Sequence, residues 1–293
     1  MSTWGLLAGL AAASIWGGMY VVSKVVLEVI PPLTLLSLRL LLGALCLLAI
    51  LLFRQKLRGL AWPLLREALW VGCIGYGLSL SFQFVGTKLS TAANAALVTS
   101  ASPAFMFIFG AWLLKERITA SRLLALILAT LGVMIVVDPR QAWLGSQAAL
   151  GNLALLMAAL TWGLHSVLVK QTSARLDVVT LSLWAFIGGL PISLPLSALE
   201  LHSAVVGPIT PGIVAGVLYL GVISTALAMY LWNQSLALLD AGVVSLLFFA
   251  QPVVGAALGA TLLGESLTAG FWLGAALIAT GLAMAARSER KSA

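Results

Sequence analysis

Three stripes of polar and aromatic residues stand out in an otherwise apolar chain. Trp16, Tyr20 and Lys24 recur every fourth residue; Gly72, Tyr76, Ser79 and Gln83 follow helical spacing; Trp162, Ser166 and Lys170 repeat the first pattern, with His165 adjacent. On a helix, each spacing gathers its residues on one face. Trp184, Tyr230, Asn233 and Gln251 add further hydrogen-bonding or stacking groups. Of the basic residues only Arg39 and His165 stand clearly inside apolar runs, and no Asp or Glu does. The two histidines are too far apart for an HExxH zinc site, and neither a pair of buried Asp nor a nucleophile-elbow serine is present. The residues on offer suit recognition rather than catalysis: aromatic surface, a few hydrogen-bonding groups and one fixed cation. No enzyme activity, metal or cofactor is expected.

The elements that position these residues must lie in lipid. Of the 293 residues, 61% are hydrophobic and 9% charged, too little polar surface to cover a water-soluble domain. A bilayer crossing needs roughly 20 apolar residues. Ten such runs are expected, at about 4–26, 34–53, 68–86, 92–114, 121–138, 150–170, 178–199, 212–234, 241–263 and 270–287. Breaker segments such as IPPLT, RQKLRG, KERITAS and GPITPG divide them. The start, MSTWGLLAGL, has no basic region before its apolar run, so it is read as a retained first helix rather than a cleaved signal. Cys46 and Cys73 both fall mid-span and are read as small hydrophobes.

Placing the N-terminus in the cytoplasm puts twelve Lys or Arg on that side and three on the other, with Arg39 inside a span, out of sixteen. The positive-inside rule then expects both termini in the cytoplasm of a bacterial-type inner membrane. The net charge of +7 is thereby assigned to orientation and not to nucleic acid. Trp4, Trp62, Trp112, Trp143, Trp232 and Trp272 lie near span ends, where interface anchors belong.

The chain also repeats itself. At a spacing of 149, Gly72, Pro103, Gly110, Glu116 and Gly132 meet Gly221, Pro252, Gly259, Glu265 and Gly281. At 146, Trp16-Gly17 meets Trp162-Gly163 and Lys24 meets Lys170; at 145, Leu-Ser-Leu at 36–38 meets 181–183, and Gly43 meets Gly188. Two units follow, 1–138 and 150–287, each of five spans. Because five is odd, the second unit enters the membrane from the opposite side, and the two are inverted about an axis in the membrane plane. Inverted repeats are a common transporter plan, with the substrate site at midplane between them.

Trp16-Gly17, SLRLL around Arg39, SPAFMFIFGAWLLKERIT and AQPVVGAALGATLLGESLT together resemble the drug/metabolite transporter superfamily with two EamA-type repeats. The resemblance covers nearly the whole chain. It implies an all-α integral membrane fold, ten transmembrane helices as two inverted five-helix repeats around a central cavity. It implies export or exchange of small metabolites, with the first four helices of each half walling the cavity and the fifth and tenth as supports. The superfamily's amino-acid exporters fit best.

On this reading the substrate-binding candidates are Trp16, Tyr20, Arg39, Tyr76, Ser79, Gln83, Trp162, His165, Ser166, Trp184, Tyr230 and Gln251. Pro103 and Pro252 are hinge candidates, since each removes a backbone donor and frees the carbonyl of Thr99 or Phe248. Glu116 and Glu265 are expected to be structural, each just ahead of Thr119 or Thr268, the caps of the following helices. With so few charges in the spans, phosphate esters fit poorly, as they call for several cations. A cationic-drug pump would want an acid in the first span, which instead carries Ser14, Trp16 and Met19. A neutral, zwitterionic amino acid with an aromatic or aliphatic side chain fits better. The absence of a mid-span carboxylate favours a facilitator driven by the substrate's own gradient. The alternatives are a proton-coupled exporter of drugs, nucleosides or sugar-type metabolites, and a passive channel. The expected partners are the small-molecule substrate and the lipid bilayer; the oligomeric state is left open, and a monomer is compatible with the sequence.

Overall fold

The computed structural model describes residues 2–54, 61–89, 98–99, 101–137, 146–263 and 269–292. Glu265, Thr268 and Trp143 lie outside them. The described helices, in chain order, are α1 (Thr3–Val26), α2 (Pro32–Phe53), α3 (Trp62–Leu89), α4 (Ser102–Leu113), α5 (Ala120–Val137), α6 (Ser146–Ser173), α7 (Val178–Ser203) and α8 (Pro211–Leu238). They continue with α9, in two pieces (Ala241–Leu247 and Ala250–Leu263), and α10 (Ala269–Ser292). Pro32, Pro103 and Pro211 occupy first turns, where a missing N–H costs nothing. Asp177 and Thr210 cap α7 and α8 by accepting from the Thr180 and Ile213 amides. Among the described residues, α2, α3, Ala149–Ser173 of α6, α7 and α8 are each long and apolar enough to cross a bilayer, and shorter apolar helices accompany them.

Ten transmembrane helices form two inverted five-helix repeats. Because the number of spans is even, both termini lie at one end of the bundle, here called the terminal end. The pairing follows the repeat: α1 packs on α8 and α9, and α6 on α3 and α4. α5 and α10 pack against each other beside the bundle, with Gly132 so close to α10 that an added Cβ would come within 2.7 Å of the Gly274 carbonyl.

Both α3 and α8 contain a wide π turn, at Cys73–Ser79 and Tyr219–Leu227. The 149-residue shift carries the first segment onto the second except at one end, so the two repeats share the irregularity. Each π turn accommodates an extra residue and rotates the following side chains by about 100°, one helical step. Breaks also match: α4 begins after a turn at Ala101, and α9 is interrupted at Phe248–Phe249, each just ahead of the repeated proline.

Candidate functional site

A cavity of about 80 Å³ lies where the two halves meet. Its lining includes Trp16 and Met19 of α1, Arg39 of α2, Ser79, Gln83 and Phe84 of α3, Ser102 of α4, Trp162 of α6 and Phe248 and Gln251 of α9. It shares Leu27, Phe84 and Thr87 with a wider vestibule of about 290 Å³ bounded by Glu28, Lys88, Ala204 and Val205. The cavity therefore adjoins a vestibule whose described lining lies at the end opposite the termini.

Among the described residues of this lining, Arg39 is the charged one. It is only 3% exposed, and the π turn of α8 holds it: Nε donates to Thr225 Oγ1 at 3.0 Å and Nη2 to Ser224 Oγ at 3.3 Å. Thr225 can accept because its own hydroxyl donates five residues back, to the Leu220 carbonyl at 2.7 Å, a contact that the π geometry brings within reach. Met19 Sδ lies 3.2 Å from Nη2, and the Phe84 ring centroid 5.9 Å from Cζ, a cation–π distance. A fixed guanidinium in an apolar wall is a ready anchor for a carboxylate.

The cavity floor is aromatic. Trp16 meets Trp162 edge-on at 5.8 Å and, with tilted planes, Phe248 at 6.2 Å and, behind the lining, Trp232 at 5.3 Å between ring centroids, and its indole N–H donates to the Ser224 carbonyl at 3.0 Å. The repeated breaks supply polar edges. Ser102 Oγ donates to the Thr99 carbonyl at 2.7 Å, replacing the bond that Pro103 removes. The Gln251 amide N–H donates to the Phe248 carbonyl at 3.1 Å, while Gln251 Oε1 is buried with no hydrogen-bond partner.

Below the floor, the terminal end is shut. Glu116 accepts from the Ala241 and Gly242 amides at 2.8 and 3.1 Å. Arg122 pairs with Asp240 at 2.6 Å, and Lys170 Nζ donates to the Leu239 carbonyl at 2.6 Å. Three elements thus clasp the short turn between α8 and α9. Lys115, in the left-handed region at φ 56°, ends α4, and the Glu116 amide closes back on the Gly110 carbonyl at 3.2 Å. Glu116 plays its structural part on a helix other than the one it precedes. Thr119 does cap α5, accepting from the Arg122 amide at 3.3 Å, but the Glu116 carboxylate serves the N-terminus of α9 across the molecule.

The structure divides the residues singled out in the sequence. Trp16, Arg39, Ser79, Gln83, Trp162 and Gln251 line the cavity. Tyr76, His165, Ser166, Trp184 and Tyr230 are not in its lining, which corrects the expectation of one shared pocket. The π turn separates Tyr76 from Ser79 and Gln83, so Tyr76 turns below the floor and meets His165 at 4.7 Å between ring centroids. His165 and Ser166 follow Trp162 toward the terminal end and are fully buried, with His165 Nδ1 donating to the Val71 carbonyl at 2.9 Å. Trp184 packs on the core from α7, and Tyr230 is turned one helical step away from the lining residue Met229. Nothing is described of the side chains of Tyr20 and Pro252. Trp4, Trp62, Trp112 and Trp272 are exposed on the outer surface, as anchors should be, whereas Trp232 is wholly buried behind Trp16, outside the cavity lining. The sequence reading missed Ser224 and Thr225; their only signal is two adjacent hydroxyls in the middle of an apolar span.

A cavity between two repeats, adjoined by a vestibule at one end and by the clasped α8–α9 turn at the other, is the layout of a membrane transporter. The EamA-like transporter family matches residues 3–138 and again 149–287, and the chain belongs to that family. A protein of Salmonella typhimurium named a probable amino-acid metabolite efflux pump is 34% identical over 95% of this chain and 93% of its own. Its namesake in Escherichia coli is 32% identical with the same coverage, and an uncharacterised transporter of Archaeoglobus fulgidus is 25% identical over 99% of this chain and all of its own. A crystal structure with 22% identity superposes with a TM-score of 0.83 over 99% of both chains, which shows the shared fold.

Proposed function

We propose that the protein exports neutral amino acids, aromatic or aliphatic, across a bacterial-type inner membrane by alternating access, with both termini in the cytoplasm. The carrying observation is Arg39, fixed by Thr225 and Ser224 in a cavity otherwise walled by aromatic and uncharged polar groups. In this reading the substrate carboxylate lies on Arg39. Its ammonium donates to Gln251 Oε1, which with Ser23 Oγ is an unpartnered acceptor among the described lining residues, and its side chain packs on Trp16, Trp162 and Phe248. The efflux-pump names of the enterobacterial relatives support the substrate class.

With Arg39 as the charge of the lining, transport runs down the substrate's gradient and needs no coupling ion. The described state, open away from the termini, is the one that releases substrate outside the cell. The prolines at the two breaks act as hinges in exchanging this state for its inverse.

Counterflow in proteoliposomes tests the reading. Vesicles loaded with phenylalanine or leucine should take up the labelled amino acid faster than empty vesicles, and saturably, and an imposed pH gradient alone should drive no accumulation. Arg39→Gln should weaken apparent affinity about ten- to a hundredfold, the worth of a hydrogen-bonded charge. Counterflow of phosphate esters or nucleosides but of no amino acid would overturn the substrate class. Non-saturable flux would indicate a channel.

A further inference from the structure

The repeat relates every lining residue of the open cavity to a partner in the other half. Shifting by 146 carries Met19 to His165; by 145, Arg39 to Trp184; by 149, Gln83 and Phe84 to Trp232 and Asn233. All four images lie outside the open cavity, and His165, Trp232 and Asn233 are wholly buried. All four carry a buried polar atom with no hydrogen-bond partner: His165 Nε2, Trp184 Nε1, Trp232 Nε1 and Asn233 Oδ1. Leaving such an atom unpaired in a protein interior costs about 1–3 kcal/mol, and lipid provides no water to relieve it. Ser23 Oγ, Trp162 Nε1 and Gln251 Oε1 of the open lining are unpartnered in the same way, and a few others, as at Ser81 and Ser193, lie at neither place; such atoms thus gather at the ligand-lining surface and at its images, which calls for a state in which the images too are satisfied.

We infer that His165, Trp184, Trp232 and Asn233 form a second ligand surface, closed in this structure, that opens toward the terminal end and takes the uncharged polar or aromatic portion of the substrate. The parts already in place fit that role. Asn233 Nδ2 donates to Ser182 Oγ at 3.0 Å, which leaves its carbonyl as an acceptor. His165 donates from Nδ1 to the Val71 carbonyl, so Nε2 is its accepting nitrogen. Glycine makes room for the imidazole: a Cβ at Gly75 would overlap the His165 ring. The two surfaces differ in chemistry, because Trp184 stands where the open cavity has Arg39. The fixed cation therefore belongs to the outward-open cavity, and the inward surface recognises ligand by neutral hydrogen bonds and ring contacts.

This inference rests on the alternating-access reading, and one labelling experiment separates the two. Single cysteines are placed in the full chain carrying Cys46→Ser and Cys73→Ser, reconstituted in vesicles of known orientation. A membrane-impermeant maleimide is then applied from either side. Phe84→Cys should label from the side opposite the termini. Leu239→Cys, at the closed turn, and Asn233→Cys should label only from the terminal side, and faster when Asp240→Asn weakens the clasp. If Asn233→Cys does not fold, Trp184→Cys gives the same reading. Labelling of Leu239→Cys but of neither Asn233→Cys nor Trp184→Cys would overturn the second surface and leave alternating access standing. Absence of terminal-side labelling at all three would overturn both.

Discussion

Two helix crossings, related by the repeat, differ in how closely their backbones approach. At the crossing of α3 and α7, below the floor, a Cβ at Gly72 would overlap the Ala185 carbonyl, and one at Gly188 the Leu69 carbonyl. The backbones touch, and only glycine permits it. At the image crossing of α2 and α8, a Cβ at Gly43 would meet the Thr225 side chain at 3.0 Å, and one at Gly221 the Leu42 side chain at 2.6 Å. There the nearest atoms belong to side chains, and Arg39 reaches between the helices to Ser224 and Thr225. Repeat-equivalent glycines thus serve a tight crossing of α3 with α7 and a looser one of α2 with α8, both between the two halves. Each repeat has a sequence compatible with both separations, which is what exchange between two facings demands.

If the closed crossing depends on backbone contact, Gly72→Ala should have the largest effect. Overpacking there should destabilise by about 1–3 kcal/mol, read as a lower thermal midpoint in detergent. An unchanged midpoint would mean that α3 and α7 separate at no cost, and the contrast would fail. Next comes the clasp. Glu116→Ala leaves the Ala241 and Gly242 amides without their carboxylate, a loss of about 1–2 kcal/mol, which should raise terminal-side labelling of Leu239→Cys roughly tenfold. Arg122→Ala removes a pair whose acid is 43% exposed, so solvent screening limits its effect to about 1 kcal/mol and a severalfold rise in the same labelling. The smallest effect is expected for Gly221→Ala, because the Leu42 side chain can turn aside. Its thermal midpoint should stay near that of the parent, and a loss matching Gly72→Ala would show that the two crossings are equally tight.

Much of this architecture is written in local sequence. Run length and breakers gave the spans, the shared offsets exposed the repeat, and an odd number of spans per unit inverted it. Arg39, Trp16, Gln83 and Gln251 were found because polar and aromatic groups in apolar runs are few. The facing state was not legible. Inverted repeats carry equivalent residues on both halves, so spacing cannot tell which of two equivalent residues lines the described cavity, and His165 and Trp184 were grouped with Arg39. The π turn of α3 defeated the helical count that placed Tyr76 beside Gln83. The destination of Glu116 depended on a contact 125 residues away, which no periodicity encodes.

Coupling between the two ends is the central claim, and paired distances test it most directly. In the chain carrying Cys46→Ser and Cys73→Ser, spin labels at Lys88→Cys and Val205→Cys report the vestibule, and labels at Arg117→Cys and Leu238→Cys report the terminal end. Pulsed dipolar spectroscopy during amino-acid exchange should show two populations, in which a shorter vestibule distance accompanies a longer terminal distance in equal proportion. Exchange proceeding with either distance fixed, or with both lengthening together, would contradict the account.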